Sequence, residues 1–238
     1  LMASAETLRA QTIDFAECIP PPEYIPQRGL VRRAHYVQEG PGPVMMQPPA
    51  VANKLMDGFL LLEACHVELP DQARRADVNG REIGDVALED LQYFTNLAYL
   101  DIGDNRAPFE PLGTLPVLRE LHIQCNLIEK ISPIEGFKFL EVLDLSYNAL
   151  LPASVGELAA MPKLRELDLT CNGLQELPDM SGFVTLEVLV LERNRFGNET
   201  ISALSPMPKL KVLNAGFNYI NAMPTHLKPS QASRTSRS

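Results

Sequence analysis

One asparagine-centred frame recurs along most of this chain. It is closed by asparagines at positions 105, 126, 148, 172, 194 and 218. In each copy, apolar residues stand eight, five and three positions before the asparagine and two positions after it. A degenerate earlier copy ends at Arg81, and successive copies lie 21 to 24 residues apart. A period of this length is typical of solenoids in which each repeat forms one coil.

The frame also predicts how each coil folds. The alternating apolar residues before the asparagine predict a short strand with inward-pointing side chains, and successive strands would stack into a parallel sheet. The asparagine lies where the chain turns inward, so its amide can pair with backbone groups that would otherwise be buried without partners. The sequence therefore predicts an α/β solenoid, a horseshoe of about seven coils with a parallel β-sheet on its concave face.

The segments that return between strands differ from coil to coil. SVGEL at 154–158 predicts a short helix that starts with a capping box, in which Ser154 pairs with Glu157. NETISALSPM at 198–207 is similar. The segments 126–137 and 172–180 instead predict tighter 3₁₀ or extended returns.

The regions that flank the repeats predict three further parts. Residues 1–50 hold eight of the chain's 20 prolines, so residues 1–52 are predicted to be an extended arm. Such an arm could bind a partner, dock on its own domain or stay disordered. Residues 53–72 predict a capping helix, with Asn53 as its N-cap and Pro70 as its stop. The repeat domain would then cover 73–224, followed by a flexible basic tail at 225–238.

Charge and hydropathy narrow the class of partner. Residues 56–224 carry 13 basic and 25 acidic residues, which argues against nucleic acid and favours a basic protein surface. No apolar run reaches the roughly 18 residues that indicate a membrane span. The first residues also lack the apolar core of a secretory signal. We therefore expect a cytoplasmic protein with protein partners and without membrane or nucleic-acid contacts.

The repeated segments resemble a known pattern. LEVLDLSYN and LRELDLTCN match the leucine-rich repeat, L-x-x-L-x-L-x-x-N-x-L. Their short period is similar to that of intracellular repeats in phosphatase regulators and in the leucine-rich dynein light chain. Residues 55–180, which include FKFLEVLDLSYNAL and CNGLQELP, also resemble the X-ray radiation resistance-associated protein family. The resemblance implies a repeat fold and a place in a larger assembly, such as a cytoskeletal or ciliary (axonemal) one.

One outward-facing column of the predicted sheet supplies polar candidate binding residues. Four positions before the asparagine, the column reads Asp77, Asp101, His122, Asp144, Asp168, Val190 and Asn214. We expect His122 to lie between Asp101 and Asp144, whose carboxylates would raise its pKa. The column is either an acidic stripe that binds Lys and Arg of a partner or a solvated ladder in which His122 reduces acid–acid repulsion. A metal site is disfavoured because three side chains on a flat sheet rarely converge.

The other end of the same face is apolar. Val188, Val190 and Val212 form an outward cluster, with Phe217 close to it. Contiguous exposed apolar surface marks an interface in many proteins. The alternative is that the C-terminal tail folds over the cluster. The last coil lacks a recognisable polar cap, and this favours an interface.

The reactive residue types in the repeats do not form a catalytic arrangement. Cys125 and Cys171 occupy equivalent positions two coils apart, about 9.6 Å on strand spacing and beyond the roughly 7 Å reach of a disulfide. Neither has a neighbouring base, as a catalytic thiol requires. Cys65 and His66 diverge around the predicted helix. Asn198 begins a glycosylation acceptor sequence that we expect to be unused.

These observations lead to two hypotheses about function, and neither includes a catalytic, cofactor or metal site. In the first, the protein is a non-enzymatic scaffold that binds partners through the concave face, the open last coil and the N-terminal arm. In the second, it is a regulatory subunit that positions an enzyme such as a phosphatase or a motor. An enzyme is disfavoured because no nucleophile–base pair survives the assignment of the repeats.

Overall fold

The computed structural model describes residues 54–204 and 207–221. The predicted arm at 1–52, the predicted N-cap Asn53 and the predicted tail at 225–238 lie outside the described residues. The boundaries of the arm, the repeat domain and the tail therefore stay predictions.

The described residues form nine short strands and three short α-helices. In chain order the strands are β1 (Lys54–Met56), β2 (Arg75–Asp77), β3 (Ile83–Val86), β4 (Tyr99–Asp101), β5 (Glu120–His122), β6 (Val142–Asp144), β7 (Glu166–Asp168), β8 (Val188–Val190) and β9 (Val212–Asn214). The α-helices are α1 (Gly58–Cys65), α2 (Leu88–Leu91) and α3 (Pro152–Glu157). Four 3₁₀ helices cover Pro70–Gln72, Glu110–Thr114, Leu158–Ala160 and Asn198–Leu204.

Seven of the strands form one parallel sheet. Their order is β2-β4-β5-β6-β7-β8-β9, so strands of successive coils are always neighbours. Each is three residues long, and equivalent residues of neighbouring strands pair with each other along the whole sheet. This confirms the predicted horseshoe of about seven coils, including the degenerate first copy that ends at Arg81.

The core runs along the inside of this sheet. The middle residue of each strand points inward, and Leu100, Leu121, Leu143 and Leu167 are buried. The last described coil differs, because its inward residue Leu213 is only partly buried. Each coil therefore covers the apolar face of its neighbour, as expected when stability comes from stacking.

The frame asparagines are buried and connect neighbouring coils. The Asn148 Nδ2 donates to the carbonyls of Ile123 (3.1 Å), Leu145 (2.9 Å) and Ser146 (3.3 Å). Its Oδ1 accepts hydrogen bonds from the backbone N–H groups of Asn126 and Ile128, each at 3.0 Å. One side chain thus satisfies backbone groups of two coils that would otherwise be buried without partners.

The residue before each of these asparagines has a left-handed backbone. The φ angles of Asp104, Cys125, Tyr147, Cys171, Arg193 and Phe217 lie between 51° and 56°. This conformation costs roughly 1–2 kcal/mol for a residue other than glycine. It turns the chain so that the asparagine points inward, and the asparagine hydrogen bonds offset the cost.

The N-terminal cap differs from the predicted single helix. Residues 54–56 form β1, which pairs in parallel with β3 to make a separate two-stranded sheet. Helix α1 begins only after Asp57, whose Oδ1 accepts a hydrogen bond from the Leu60 N–H at 2.8 Å. It ends at His66, with φ 53°, four residues before the predicted stop at Pro70. The predicted helix was too long because its periodicity continued into the short strand.

The return segments confirm part of the prediction. The segments 126–137 and 172–180 contain no helix and have an irregular backbone, and 198–204 is a 3₁₀ helix. The capping box at Ser154 was wrong, because α3 begins at Pro152 and Leu151 is the N-cap. Ser154 is buried, and its Oγ accepts the Ile131 N–H at 3.0 Å and donates to the Glu129 carbonyl at 3.2 Å. Proline at the first helical position preset the start instead.

Replacement of Asn148 by alanine should destabilise the protein strongly. The change removes every side-chain bond to the five backbone groups described above, so we expect a loss of about 3 kcal/mol or more in the free energy of unfolding. Urea denaturation followed by circular dichroism measures this loss. Asn79→Ala is the matched control, because Asn79 is exposed and its side chain makes one long contact of 3.4 Å. A loss at Asn148 no larger than that at Asn79 would contradict the role of the asparagine ladder.

Candidate functional site on the open face of the sheet

The strand register places the predicted column on one surface, which we call the open face. Asp77 pairs with Asp101, Asp101 with His122, and His122 with Asp144. The column then continues through Asp168 and Val190 to Asn214. A second outward column, from Arg75 to Val212, lies beside it. The candidate residues Asp101, His122, Asp144, Asp168, Val188, Val190 and Val212 are therefore all on this face.

The aspartates of the open face have a structural role that the sequence interpretation did not include. Each accepts a hydrogen bond on Oδ1 from the backbone N–H two residues later. These bonds are 3.0 Å at Asp101, 2.8 Å at Asp144 and 2.8 Å at Asp168. Asparagine and aspartate side chains favour this local turn. Aspartate in the column therefore ends the strand, whether or not the carboxylate also binds a partner.

His122 is held by two carboxylates. Its Nε2 lies 2.8 Å from Glu120 Oε1, and its Nδ1 lies 3.6 Å from Asp144 Oδ2. The prediction that Asp101 would be one of the two was wrong. The Asp101 Oδ1 instead accepts long contacts of 3.4 Å from the side-chain amide of Gln124 and from that of Asn79. Glu120 replaces it because a residue two positions away on the same strand points to the same face.

These contacts shift the ionisation of His122. The interaction with the Asp144 carboxylate contributes most to raising the pKa of His122 to about 9, against the opposing effect of burial, and Glu120 adds to it. This confirms the predicted direction. Asp144 has the larger effect although its contact is longer, because its side chain is 24% exposed and that of Glu120 is 41%. Burial raises the pKa of Asp144, but the ion pair with His122 and the hydrogen bonds with Ser146 outweigh it, so the net shift of the pKa is downward.

An aromatic and cationic stack extends this cluster toward the first coil. The His122 and Tyr99 ring centroids are 5.3 Å apart, with the rings tilted by 41°. The Arg75 guanidinium lies over the Tyr99 ring, 3.4 Å from the ring centroid. Cation–π contacts of this kind fix the arginine in place. The first half of the open face is therefore a connected array of positive, aromatic and acidic groups.

The second half of the open face is apolar, as predicted. Val188 and Val190 are partly exposed, and Val212 is 41% exposed on the neighbouring strand. Phe217 is 37% exposed, and the Arg193 guanidinium lies 4.6 Å from its ring centroid. Because Asp168 pairs directly with Val190, the acidic half and the apolar half meet between β7 and β8.

A row of alternating charges borders the open face. It occupies the position immediately before strands β5 to β9 and reads Arg119, Glu141, Arg165, Glu187 and Lys211. The Arg165 Nε is 3.1 Å from Glu187 Oε1, and the Lys211 Nζ is 2.6 Å from Glu187 Oε2. Arg119 forms an ion pair with Glu141. Hydrogen bonds from Arg165 and Lys211 lower the pKa of Glu187 to about 2. The row links five coils on the surface.

The thiols of the repeats show no sign of activation. Burial raises the pKa of Cys125 to about 11, and it also raises the pKa of Cys171. A nucleophilic thiol needs the opposite shift. Both cysteines are free and have the left-handed backbone described above. Within residues 54–204 and 207–221, no helix is long and apolar enough to cross a membrane.

Comparisons with known proteins agree with this geometry. Residues 116–174 match the family described as Leucine rich repeat. This stretch of the chain therefore carries leucine-rich repeats. It is 30% identical over 109 residues to X-ray radiation resistance-associated protein 1 of Mus musculus, which covers 45% of this chain and 14% of that protein. It is 29% identical over 94 residues to asporin of Bos taurus, which covers 38% of this chain and 25% of that protein.

Two solved structures show the same fold. An internalin from Listeria monocytogenes has a TM-score of 0.54 at 20% identity, over 67% of this chain and 46% of its own. Internalin C2 from the same organism has a TM-score of 0.50 at 20% identity, over 69% of this chain and 84% of its own. These likenesses concern the fold alone. Leucine-rich repeats generally mediate protein–protein interactions, and the matches to curated relatives span a quarter or less of those proteins.

The sequence interpretation missed several residues of this leucine-rich repeat face. Glu120, Tyr99 and Arg75 were in the second outward column but were not selected as site residues. The charged row was also missed, although reading the position seven before each asparagine would have revealed its alternation. The cation–π contact between Arg193 and Phe217 was also missed, although both residues directly precede a frame asparagine in neighbouring coils.

The stability contributed by His122 should depend on pH. The folded state binds the His122 proton more tightly than the unfolded chain, since the pKa is about 9 against 6.5. The contribution is therefore complete below about pH 6.5 and is lost as the pH rises through 9. We expect His122→Gln to cost on the order of 1–2 kcal/mol at pH 6, after allowance for solvent screening, and close to nothing at pH 10. Urea unfolding of both proteins across this range measures the difference.

A matched pair of variants tests which carboxylate dominates. Asp144→Asn should lower the pKa of His122 more than Glu120→Gln does, because the Asp144 carboxylate is the less exposed of the two. NMR titration of the His122 ring protons gives both values. An ordinary pKa for His122 in the unaltered protein, or a larger effect from Glu120, would contradict this assignment.

Proposed function

We propose that this protein is a non-enzymatic scaffold that binds partner proteins, as part of a larger complex, through the open face of its repeats. The proposed contact residues are Asp101, His122, Asp144, Asp168, Val188, Val190, Val212 and Phe217. The proposal includes the last coil and the N-terminal arm, of which the arm lies outside the described residues. The proposed partners are proteins and include neither nucleic acid nor a membrane.

The observation that carries this proposal is the apolar half of the open face. Val188, Val190 and Val212 occupy outward positions of β8 and β9, where no demand of the fold requires an apolar residue. Apart from Val142, the equivalent positions in the earlier coils hold polar or aromatic residues such as Glu120 and Glu166. Contiguous exposed apolar side chains on a soluble surface usually mark an interface. Hydrogen bonds to the backbone account for the aspartates, so those residues do not require a binding partner. The exposed valines have no such structural explanation and are therefore the stronger indication of a binding surface.

Charge supports a partner with basic and apolar groups side by side. The acidic half includes Glu166 and Asp168, and burial raises the pKa of Asp168. A lysine or arginine of a partner placed here would stabilise the ionised carboxylate. The valines one strand away would receive an adjacent apolar side chain, because neighbouring strands lie about 4.8 Å apart.

The proposed setting is a cytoplasmic, cytoskeletal or ciliary assembly. Its support is the resemblance of the short repeats to those of the leucine-rich dynein light chain. The second candidate function is a regulatory subunit that positions a phosphatase or a motor, which the same kind of resemblance supports. The raised thiol pKa values of Cys125 and Cys171 favour both of these functions over an enzyme.

Binding should depend on the valines more than on the aspartate column. Partners are first captured with the unaltered protein, and the affinity of the principal one is then measured for single variants. Val190→Asp should weaken it at least about tenfold, as expected for a central apolar contact. Val184→Asp is the control, because Val184 is 55% exposed and lies outside the strands of the open face. Equal affinity of both variants for the partner would refute the proposed surface.

A charge variant separates the acidic contribution. Glu166→Lys suits this purpose better than reversal at Asp144, because Glu166 is exposed and Asp144 holds both His122 and a backbone N–H. A loss that disappears at high salt indicates electrostatic steering by the acidic half. Phosphatase or ATPase activity that co-purifies with the unaltered protein, and is lost with Val190→Asp, would favour the regulatory subunit.

A further inference from the structure

The N-terminal cap exposes larger apolar side chains than the open face does. Phe59 on α1 is 82% exposed, and Tyr93, just after α2, is 62% exposed. Val212 and Phe217 of the open face are 41% and 37% exposed. Two aromatic side chains this accessible, close together, indicate a surface that is covered by something.

These side chains border a shallow groove between the two helices. It has a volume of about 170 Å³, and its lining includes Phe59, Leu62, Pro70, Asp90, Tyr93 and Phe94. Phe94 forms the floor and is 1% exposed. The groove is preformed, because the Asp90 Oδ2 accepts a hydrogen bond of 2.7 Å from the Gly58 N–H and so holds α1 against α2.

The chemistry of the groove suits a proline-rich segment. Proline rings pack against aromatic side chains, and a segment with fixed φ angles loses little entropy when it binds. The Tyr93 hydroxyl at the rim can donate a hydrogen bond to a peptide carbonyl. A groove this shallow has room for a few side chains in an extended segment and too little for a helix.

We propose that the chain's own segment 41–49, PGPVMMQPP, binds in this groove. The chain enters the described residues at Lys54, and the groove begins at Gly58. The four residues from Lys54 to Gly58 span at most about 14 Å. The five residues from Pro49 to Lys54 span at most about 18 Å. The segment is therefore long enough to fold back onto the groove, and its attachment gives it a high effective concentration there, on the order of millimolar.

Charge distinguishes this segment from the other proline-rich one. The groove contains Asp90, and Asp57 and Glu89 lie close in sequence to its lining. Segment 41–49 has no charged residue, whereas IPPPEYIP at 19–26 carries Glu23. Placing Glu23 beside these carboxylates would be unfavourable. The second segment is also more than 25 residues from the groove along the chain.

This docking concerns a part of the arm that the proposed function includes, but it does not depend on that function. The groove lies on the cap, whereas the proposed contact residues lie on β4 to β9 and, at Phe217, just after β9. A failure of one would leave the other intact, because the test below uses the chain alone and requires no partner.

Methionine oxidation provides the test. Met45 and Met46 lie in the proposed segment, and the full chain treated with dilute peroxide is analysed by peptide mass spectrometry. In the unaltered chain both should be oxidised about threefold more slowly, or slower still, than in Phe59→Ser/Tyr93→Ser. Both substitutions are at exposed positions, so the fold should persist. Met56 and Met180 are each 0% exposed, so their resistance to oxidation in the same sample shows that the fold is intact. Val184→Ser is the matched control and should leave the protection unchanged.

A second measurement uses the unaltered chain. A synthetic peptide of residues 41–49, with norleucine in place of both methionines, should displace about half of the bound segment when added at about millimolar concentration, and so reduce the protection. Equal oxidation of Met45 and Met46 in all variants, with no effect of the peptide, would overturn the proposal. Protection that increases with protein concentration would also overturn it, because the groove would then bind the segment of a second copy.

Discussion

The hydrogen bonding of the buried asparagines is the constraint on which the rest of this structure depends. Each coil must turn its backbone inward once, and a turn without hydrogen-bonding partners would leave several buried N–H and C=O groups unsatisfied. Asn148 and its equivalents supply donors and an acceptor at that point, to their own coil and to the previous one. The bonds between coils fix the spacing of the strands. The left-handed residue before each asparagine follows from the same requirement, so Cys125 and Phe217 adopt a conformation that their side chains do not favour.

The same turn limits how the open face should be interpreted. An aspartate four positions before the asparagine accepts a backbone N–H at the end of its strand, and a column of acids therefore arises from folding alone. Where the column departs from aspartate, the backbone explanation ends. His122 and Val190 are two such departures, at β5 and β8. His122 is stabilised in its charged form by Glu120 and Asp144, whereas Val190 lies between Asp168 and Asn214 and has no polar group with which to pair with either. Departures from the repeat are thus more informative about recognition than its regular positions.

Most of the fold could be predicted from the sequence because its period is fixed by one residue type. The asparagine spacing set the strand register, and the register alone placed Asp101, His122 and Asp144 on one surface. The identity of the second carboxylate beside His122 could not be obtained this way. Neighbours along a strand and across strands are at comparable distances, and side-chain rotamers decide between them. The strand β1 and the start of α3 were missed for a related reason. The strand β1 depends on its pairing with β3, and the start of α3 depends on Pro152. Neither feature belongs to the repeated frame, so a periodic pattern carries no information about them.

The two ends of a solenoid have a requirement that its interior coils do not have. An interior coil is covered on both sides by copies of itself, whereas a terminal coil must be covered by a different structure. At the N-terminal end, α1 and β1 cover the first coil and bury Leu61 and Met56. The cap covers the apolar end of the first coil but leaves apolar side chains of its own exposed to solvent, namely Phe59 and Tyr93. A structure that covers these residues has to be small and extended, since the groove between α1 and α2 is shallow. The proposed occupant, the neutral sequence 41–49, suits both conditions because it is short and its prolines restrict the backbone to extended conformations, and in that proposal no second molecule is required.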